Sequence, residues 1–236
     1  MEEYHKDMLV LVLVGLLAVE ISGLLLGFLT ALALAGGMSY LAEHGLGLGA
    51  IARFFRENPF ALGLGTLIAH ALIVPSRSYI VARYSRKHGL SWPEQLRGLR
   101  QLDRIRLLRL LPVVALVLAM ELPVMLLGGA PQAYEEYQFY VRVGTGALGY
   151  ALALAYYLAE GLWLMTALEL CSLRAEWGGL AVLLVAWAPP HLLRPQGIEV
   201  LNFLWALATA VILELSRRAT RNTAVGVALW MVIILI

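Results

Sequence analysis

Long apolar runs separated by short polar connections organise this chain. The first run extends from Met8 to about Ala35, after a mixed-charge opening, Met-Glu-Glu-Tyr-His-Lys-Asp. Further runs lie near residues 59–80, 108–128, 143–173, 178–193, 198–215 and 223–236. About 20 apolar residues cross a bilayer as a helix, so the pattern predicts an all-α, polytopic integral membrane protein with about seven transmembrane helices. The fifth and seventh runs are short, and Pro189 and Pro190 interrupt the fifth, which makes six crossings plus a re-entrant piece the competing count. Between the first two runs, YLAEHGLGLGAIARFFRENPF mixes aromatics with Arg53 and Arg56 and predicts an amphipathic helix lying in the interface. A further helix is expected to start at SWPEQLRGLRQL, with Ser91 as N-cap, Pro93 in the first turn and Glu94 closing a capping box.

Composition sharpens this picture. Of 236 residues, 61% are hydrophobic and 14% charged, against about 25% charged in soluble chains, and the mean hydropathy is +0.77. Spans and short connections use nearly every residue, so residues 1–236 read as a single transmembrane domain. The first run is too long for a signal-peptide core. Cys171 stands alone, which rules out an internal disulfide and leaves apolar packing as its expected role. No internal repeat, glycine-rich nucleotide fingerprint or metal-ligand set is visible, so neither a cofactor nor a metal is expected.

Charge sets an orientation. With the amino terminus inside, the cytoplasmic ends carry Lys6, Arg77, Arg83, Arg86, Lys87, Arg97, Arg100, Arg104, Arg106, Arg109, Arg174, Arg217, Arg218 and Arg221, leaving only Arg53, Arg56, Arg142 and Arg194 outside. This bias follows the positive-inside rule and predicts a cytoplasmic N-terminus and an outside C-terminus, most simply in a prokaryotic plasma membrane. The basic segment from Arg83 to Arg109 is expected to meet anionic lipid headgroups, not nucleic acid.

Ionisable residues inside apolar runs cost roughly 2.5 kcal/mol or more at a helix centre and point to function. Counting about 1.5 Å per residue from the cytoplasmic ends places Glu20 and Glu121 at roughly 18 Å, and Glu160 and His191 at roughly 20 Å, in one layer. Glu169 and Glu214 lie near Arg174, Arg217 and Arg218 and are expected to pair there. His70 is a further candidate in the second run. The fourth run, GTGALGYALALAYYLAEG, is rich in small residues and is expected to be the central helix, turning Glu160 toward protein. Tyr150, Tyr157 and Trp163 read as packing.

A buried carboxylate can act as a general base and a histidine beside it can polarise a substrate or position water. Glu160 and His191 are therefore candidate catalytic residues for hydrolysis within the membrane, with Glu20, Glu121 and His70 as supporting polar groups. The same layer also suits proton or cation transfer, or a structural network tying four helices together.

Residues 150–236 resemble the CPBP family of intramembrane endopeptidases, which includes the type II CAAX prenyl proteases. LAEGLWLM stands where that family has Glu-Glu-x-x-x-Arg, WAPPHLL where it has Phe-x-x-x-His, NFLWALATAVILELSRRATRNT at its third element and VALWMVIIL at its His-x-x-x-Asn span. Glu160 takes the second glutamate position, and Trp187 with His191 reproduces the aromatic and histidine pair. Ala159, Leu164, Trp230 and Ile234 replace the remaining motif residues. The resemblance implies a CPBP-like fold in which Glu160 and His191 would activate water against a membrane-embedded peptide or prenylated tail. The missing final motif implies a divergent or catalytically inactive member, holding a lipid-like or peptide ligand or serving as a subunit of a larger membrane complex.

Overall fold

A computed structural model of the chain describes residues 2–45, 47–126, 130–173, 175–193 and 199–236. The described residues form helices α1 (Glu2–Val12), α2 (Val19–Leu34), α3 (Gly37–His44), α4 (Leu48–Glu57), α5 (Pro59–Lys87) and α6 (Trp92–Leu99). They continue with α7 (Arg104–Leu126), α8 (Gln132–Arg142), α9 (Gly146–Ser172), α10 (Gly178–Val182), α11 (Glu199–Thr220) and α12 (Thr223–Leu235). A π-helical stretch, Leu13–Ala18, joins α1 to α2, and a second, Leu183–Trp187, leads from α10 into a 3₁₀ turn, Pro189–Leu193. There is no strand among the described residues.

Four helical segments are long and apolar enough to cross a membrane: Glu3–Leu34, Pro59–Lys87, Gly146–Ser172 and Val200–Thr220. Shorter apolar helices cover Gly178–His191 and Thr223–Leu235. The third expected run is α7, of 23 residues, and its end at 127–128 lies outside the described residues, as do Arg174 and Arg194. The fifth run is broken at Pro189 and Pro190, as the sequence predicts. Pro189 and Pro190 lack N–H donors, so the chain passes through π and 3₁₀ geometry at that point.

Helix α9 is the hub, as its small residues predict: 61% of its apolar window is buried, against 28–39% for the other three long spans. A close backbone approach also joins α2 to α5. A Cβ added to Gly27 would stand 2.5 Å from the Gly65 carbonyl oxygen, so absent side chains let these two helices touch. In the region expected to lie in the interface, α3 and α4 pack Tyr40 against Phe54 at 5.5 Å, and Phe54 against Phe55.

One end of the bundle is tied together by polar contacts. Asp7 meets Lys87 at 2.7 Å and His88 at 2.9 Å, joining α1 to the end of α5. Tyr4 bonds to the Leu170 carbonyl on α9, and Glu169 meets Arg217 of α11 at 3.1 Å. Helix α6 docks on the start of α12, where Gln95 accepts from the Thr223 N–H at 3.0 Å and its carbonyl accepts from Asn222 at 2.9 Å. The expected capping box does not form. Ser91 occupies the N-cap of α6 but its side chain makes no cap bond; Trp92 instead turns inward to donate to Ser85. Glu214 is 1% exposed and receives Arg217 at 2.8 Å and Arg218 at 2.5 Å. The pairing expected of Glu169 and Glu214 is thus present, buried between helices in the case of Glu214.

Candidate functional site

Glu160 is buried on α9 and the structure surrounds it on two sides. Residues four apart share a helix face, so Tyr156 and Glu160 point together toward α2 and α5, while Tyr157 and Gly161 turn toward α12.

On the first side stands Arg77 of α5. Its side chain is 1% exposed, and it meets Glu20 of α2 at 2.5 Å. Glu20 receives a second bond from the Tyr156 hydroxyl at 2.8 Å, and the Arg77 guanidinium lies over the Tyr156 ring at 5.2 Å. Glu160 is near enough to act electrostatically on Glu20, Arg77 and Tyr156. The π-helical stretch contributes as well: Arg77 Nε donates to the Gly15 carbonyl at 3.4 Å, and Nη1 is buried with no hydrogen-bond partner. A Cβ on Gly15 would stand 2.5 Å from the Trp163 indole nitrogen, and that indole donates to the Leu11 carbonyl at 3.0 Å. Widened helical turns of this kind recur at functional sites.

This geometry corrects the placement of Arg77 among the cytoplasmic charges. The apolar pattern ends the second run near residue 80, which puts Arg77 at its rim. Helix α5 continues to Lys87, which draws Arg77 about 15 Å inside the end. There it is the partner of Glu20. His70, one of the supporting candidates, stacks on Tyr156 with ring centroids 4.5 Å apart and meets the Tyr140 hydroxyl at 3.3 Å. Burial, and then the Glu136 carboxylate, push the Tyr140 phenol above its ordinary range, so it stays a neutral hydroxyl.

On the second side, Trp187 donates its indole N–H to Glu160 at 3.0 Å. The imidazole of His191 points back at its own turn, with Nδ1 3.1 Å from the Trp187 carbonyl and 3.2 Å from that of Ala188. Both partners are acceptors, so Nδ1 carries a proton. The proline pair explains this fold-back. The His191 N–H bonds to the Ala188 carbonyl instead of that of Trp187, and the side chain fills the vacancy. Glu160 and His191 are therefore bridged by one residue, Trp187, whose ring lies 4.8 Å from His191.

Trp230 of α12 closes this side. It lies 5.8 Å from Trp187 and 6.1 Å from Trp205 between ring centroids, donates to the Tyr157 carbonyl at 2.7 Å, and covers Gly161, where a Cβ would meet its ring at 2.3 Å. Trp205 of α11 lies 6.4 Å from His191 and donates to Glu121 of α7 at 2.8 Å. Glu121 thus joins the network at its far edge, through tryptophan. Of the tyrosines expected to be packing residues, Tyr150 packs against the Tyr137 ring, whereas Tyr157 also donates to Glu136 at 2.5 Å.

Sequence reasoning missed Tyr156, Trp205 and the site role of Arg77, and it placed Trp187 and Trp230 by motif position without their indole hydrogen bonds. The signal for Arg77 was a charged residue two places after Pro75 in a run that has no further glycine, proline, asparagine or aspartate until Gly89. Among the described residues no group of three or more metal-ligating side chains comes together. No protein-family model, no curated protein and no solved structure matches this chain.

Proposed function

We propose that the protein is an integral membrane protein of CPBP-like architecture that has lost peptide hydrolysis and serves as a non-catalytic subunit of a membrane complex. Seven crossings in a prokaryotic plasma membrane, N-terminus inside and C-terminus outside, complete this reading. The observation that carries it is Trp187. Its indole occupies the Glu160 carboxylate while its carbonyl holds His191, so the two groups that would activate water are engaged with the same tryptophan. Trp230, standing where the family has histidine, packs against that indole and over Gly161. A scissile peptide would need the space that these rings fill.

The test is a cleavage assay in proteoliposomes with a membrane-embedded peptide and a prenylated tail as substrates. The reading expects no cleavage above the protein-free rate from the intact chain. Cleavage that disappears in Glu160→Gln or His191→Ala, with folding preserved, would establish a hydrolase instead.

A second reading, proton- or cation-coupled transport, is favoured by a different observation: Glu20, Arg77 and Glu160 gather around Tyr156 inside the bundle. It expects a pH-gradient- or cation-dependent flux that Glu20→Gln abolishes, and absence of flux in the intact chain removes it.

A further inference from the structure

Two clefts open at the polar-tied end of the bundle, on both flanks of Arg218. One, of about 370 Å³, runs between α7 and α11 and is lined by Arg109, Pro112, Val113, Leu215, Arg218 and Ala219. The other, of about 470 Å³, is lined by Glu169, Glu176, Arg217, Arg218 and Arg221. We propose that the first cleft binds the headgroup of an anionic phospholipid, its phosphate held between Arg109 and Arg218 and an acyl chain running down α7.

The argument begins with Arg218, the residue common to both clefts. Its guanidinium is fixed by Glu214 at 2.5 Å, Glu176 at 2.7 Å and the Glu176 carbonyl at 2.8 Å, and it stacks on Trp177 at 3.6 Å. Those bonds use one N–H from each nitrogen, leaving two of the five donors for a ligand. A guanidinium held this way needs little ordering when a phosphate arrives. Glu214 and Glu176 already balance Arg218, and Glu169 with Glu214 balances Arg217. The uncompensated charge comes from Arg109 and Arg221, which are exposed and whose side chains make no hydrogen bond or ion pair among the described residues.

Apolar walls choose between a lipid and a free anion. Pro112, Val113, Leu215 and Ala219 line the cleft below the arginines. Beyond them Leu116 of α7 and Val211 of α11 are exposed, four residues after Pro112 and four before Leu215 on the same two helix faces. An inorganic phosphate gains nothing from that surface, whereas a phospholipid has a chain to lay on it. Basic clefts between membrane helices hold anionic headgroups in this manner.

The test uses the full chain in detergent, with native mass spectrometry reading the lipid retained. Phosphatidylglycerol is compared with phosphatidylcholine of the same chains, with inorganic phosphate added as a separate competitor. One phosphatidylglycerol should be retained in preference to phosphatidylcholine. Arg109→Gln should weaken it about fivefold, the effect of one surface charge worth about 1 kcal/mol. Arg109 has no partner to lose, so helicity and thermal unfolding should not change, and Arg53→Gln should leave retention unaltered. Equal retention of the two lipids, or retention unaffected by Arg109→Gln, overturns the proposal. Displacement by millimolar inorganic phosphate also overturns it, in favour of a site for the free anion.

Discussion

Replacing Glu20 and Arg77 separately and together probes the buried ion pair quantitatively. In Glu20→Gln, Arg77 loses the only charged hydrogen-bond partner it has among the described residues, while its side chain remains 1% exposed. A buried charge stripped of its partner costs about 3–5 kcal/mol. Glu160 still acts on Arg77, and the amide oxygen introduced by the substitution still accepts from Tyr156, so the lower end, about 3 kcal/mol, is expected. Arg77→Met should cost less. A carboxylate left behind can neutralise itself by taking up a proton, which a guanidinium cannot do by losing one, and the Tyr156 hydroxyl continues to serve it. With both changed, neither charge is stranded, and the loss should fall short of the sum by about 2 kcal/mol, within the range of coupled contacting pairs. Reversible unfolding in mixed detergent micelles, followed by helicity, reads all four proteins. Losses that add to within about 0.5 kcal/mol would mean that the two side chains do not interact, and would refute the reasoning.

Other substitutions test packing and the polar end. Gly161→Val should destabilise by about 1–3 kcal/mol through overpacking against Trp230, and the same unfolding assay would expose an error if it were neutral. Gly27→Leu should part α2 from α5, because even a Cβ stands 2.5 Å from the Gly65 oxygen; a disulfide engineered across that pair should form more slowly in the variant. Gln95→Ala removes the acceptor for the Thr223 N–H and should cost about 1 kcal/mol, as loss of a helix cap does. Tyr40, outside the spans, loses hydration and donates to Glu57 at 3.1 Å, both of which hold its phenol above the usual range. The neutral form is the favoured one, so this contribution is present below the ordinary tyrosine pKa and lost as pH rises through the elevated value. Ultraviolet titration should show a phenolate appearing at lower pH in Glu57→Gln.

Much of the architecture was legible because membrane spans write themselves as length and apolarity. Helix α9 as hub followed from its small residues, and the pairing of Glu214 with Arg217 and Arg218 followed from their spacing, whereas Glu169 meets Arg217, 48 positions away. The break at Pro189 and Pro190 was visible, though not that the chain would take π and 3₁₀ geometry there. Arg77 was misplaced because positive-inside counting assigns every basic residue to a helix end, and the apolar pattern fades near residue 80 although α5 runs on to Lys87. Its carboxylate partner lies 57 positions away, beyond the reach of any local pattern. The hydrogen bonds of the tryptophans escaped notice for a related reason. Trp187, Trp205 and Trp230 are spread over three elements, and each looks like ordinary membrane packing until the indole N–H of Trp187 is seen on Glu160, that of Trp205 on Glu121 and that of Trp230 on a carbonyl of α9.

The central claim is that acidic groups from α2 and α9 gather around Arg77 in the interior of the bilayer. A density map of the protein in a lipid nanodisc measures this directly. The Arg77 guanidinium should lie in the middle third of the slab, within hydrogen-bond reach of Glu20 and facing Glu160. An Arg77 side chain extended to the phosphate level, with Glu20 separated from it, would contradict the account.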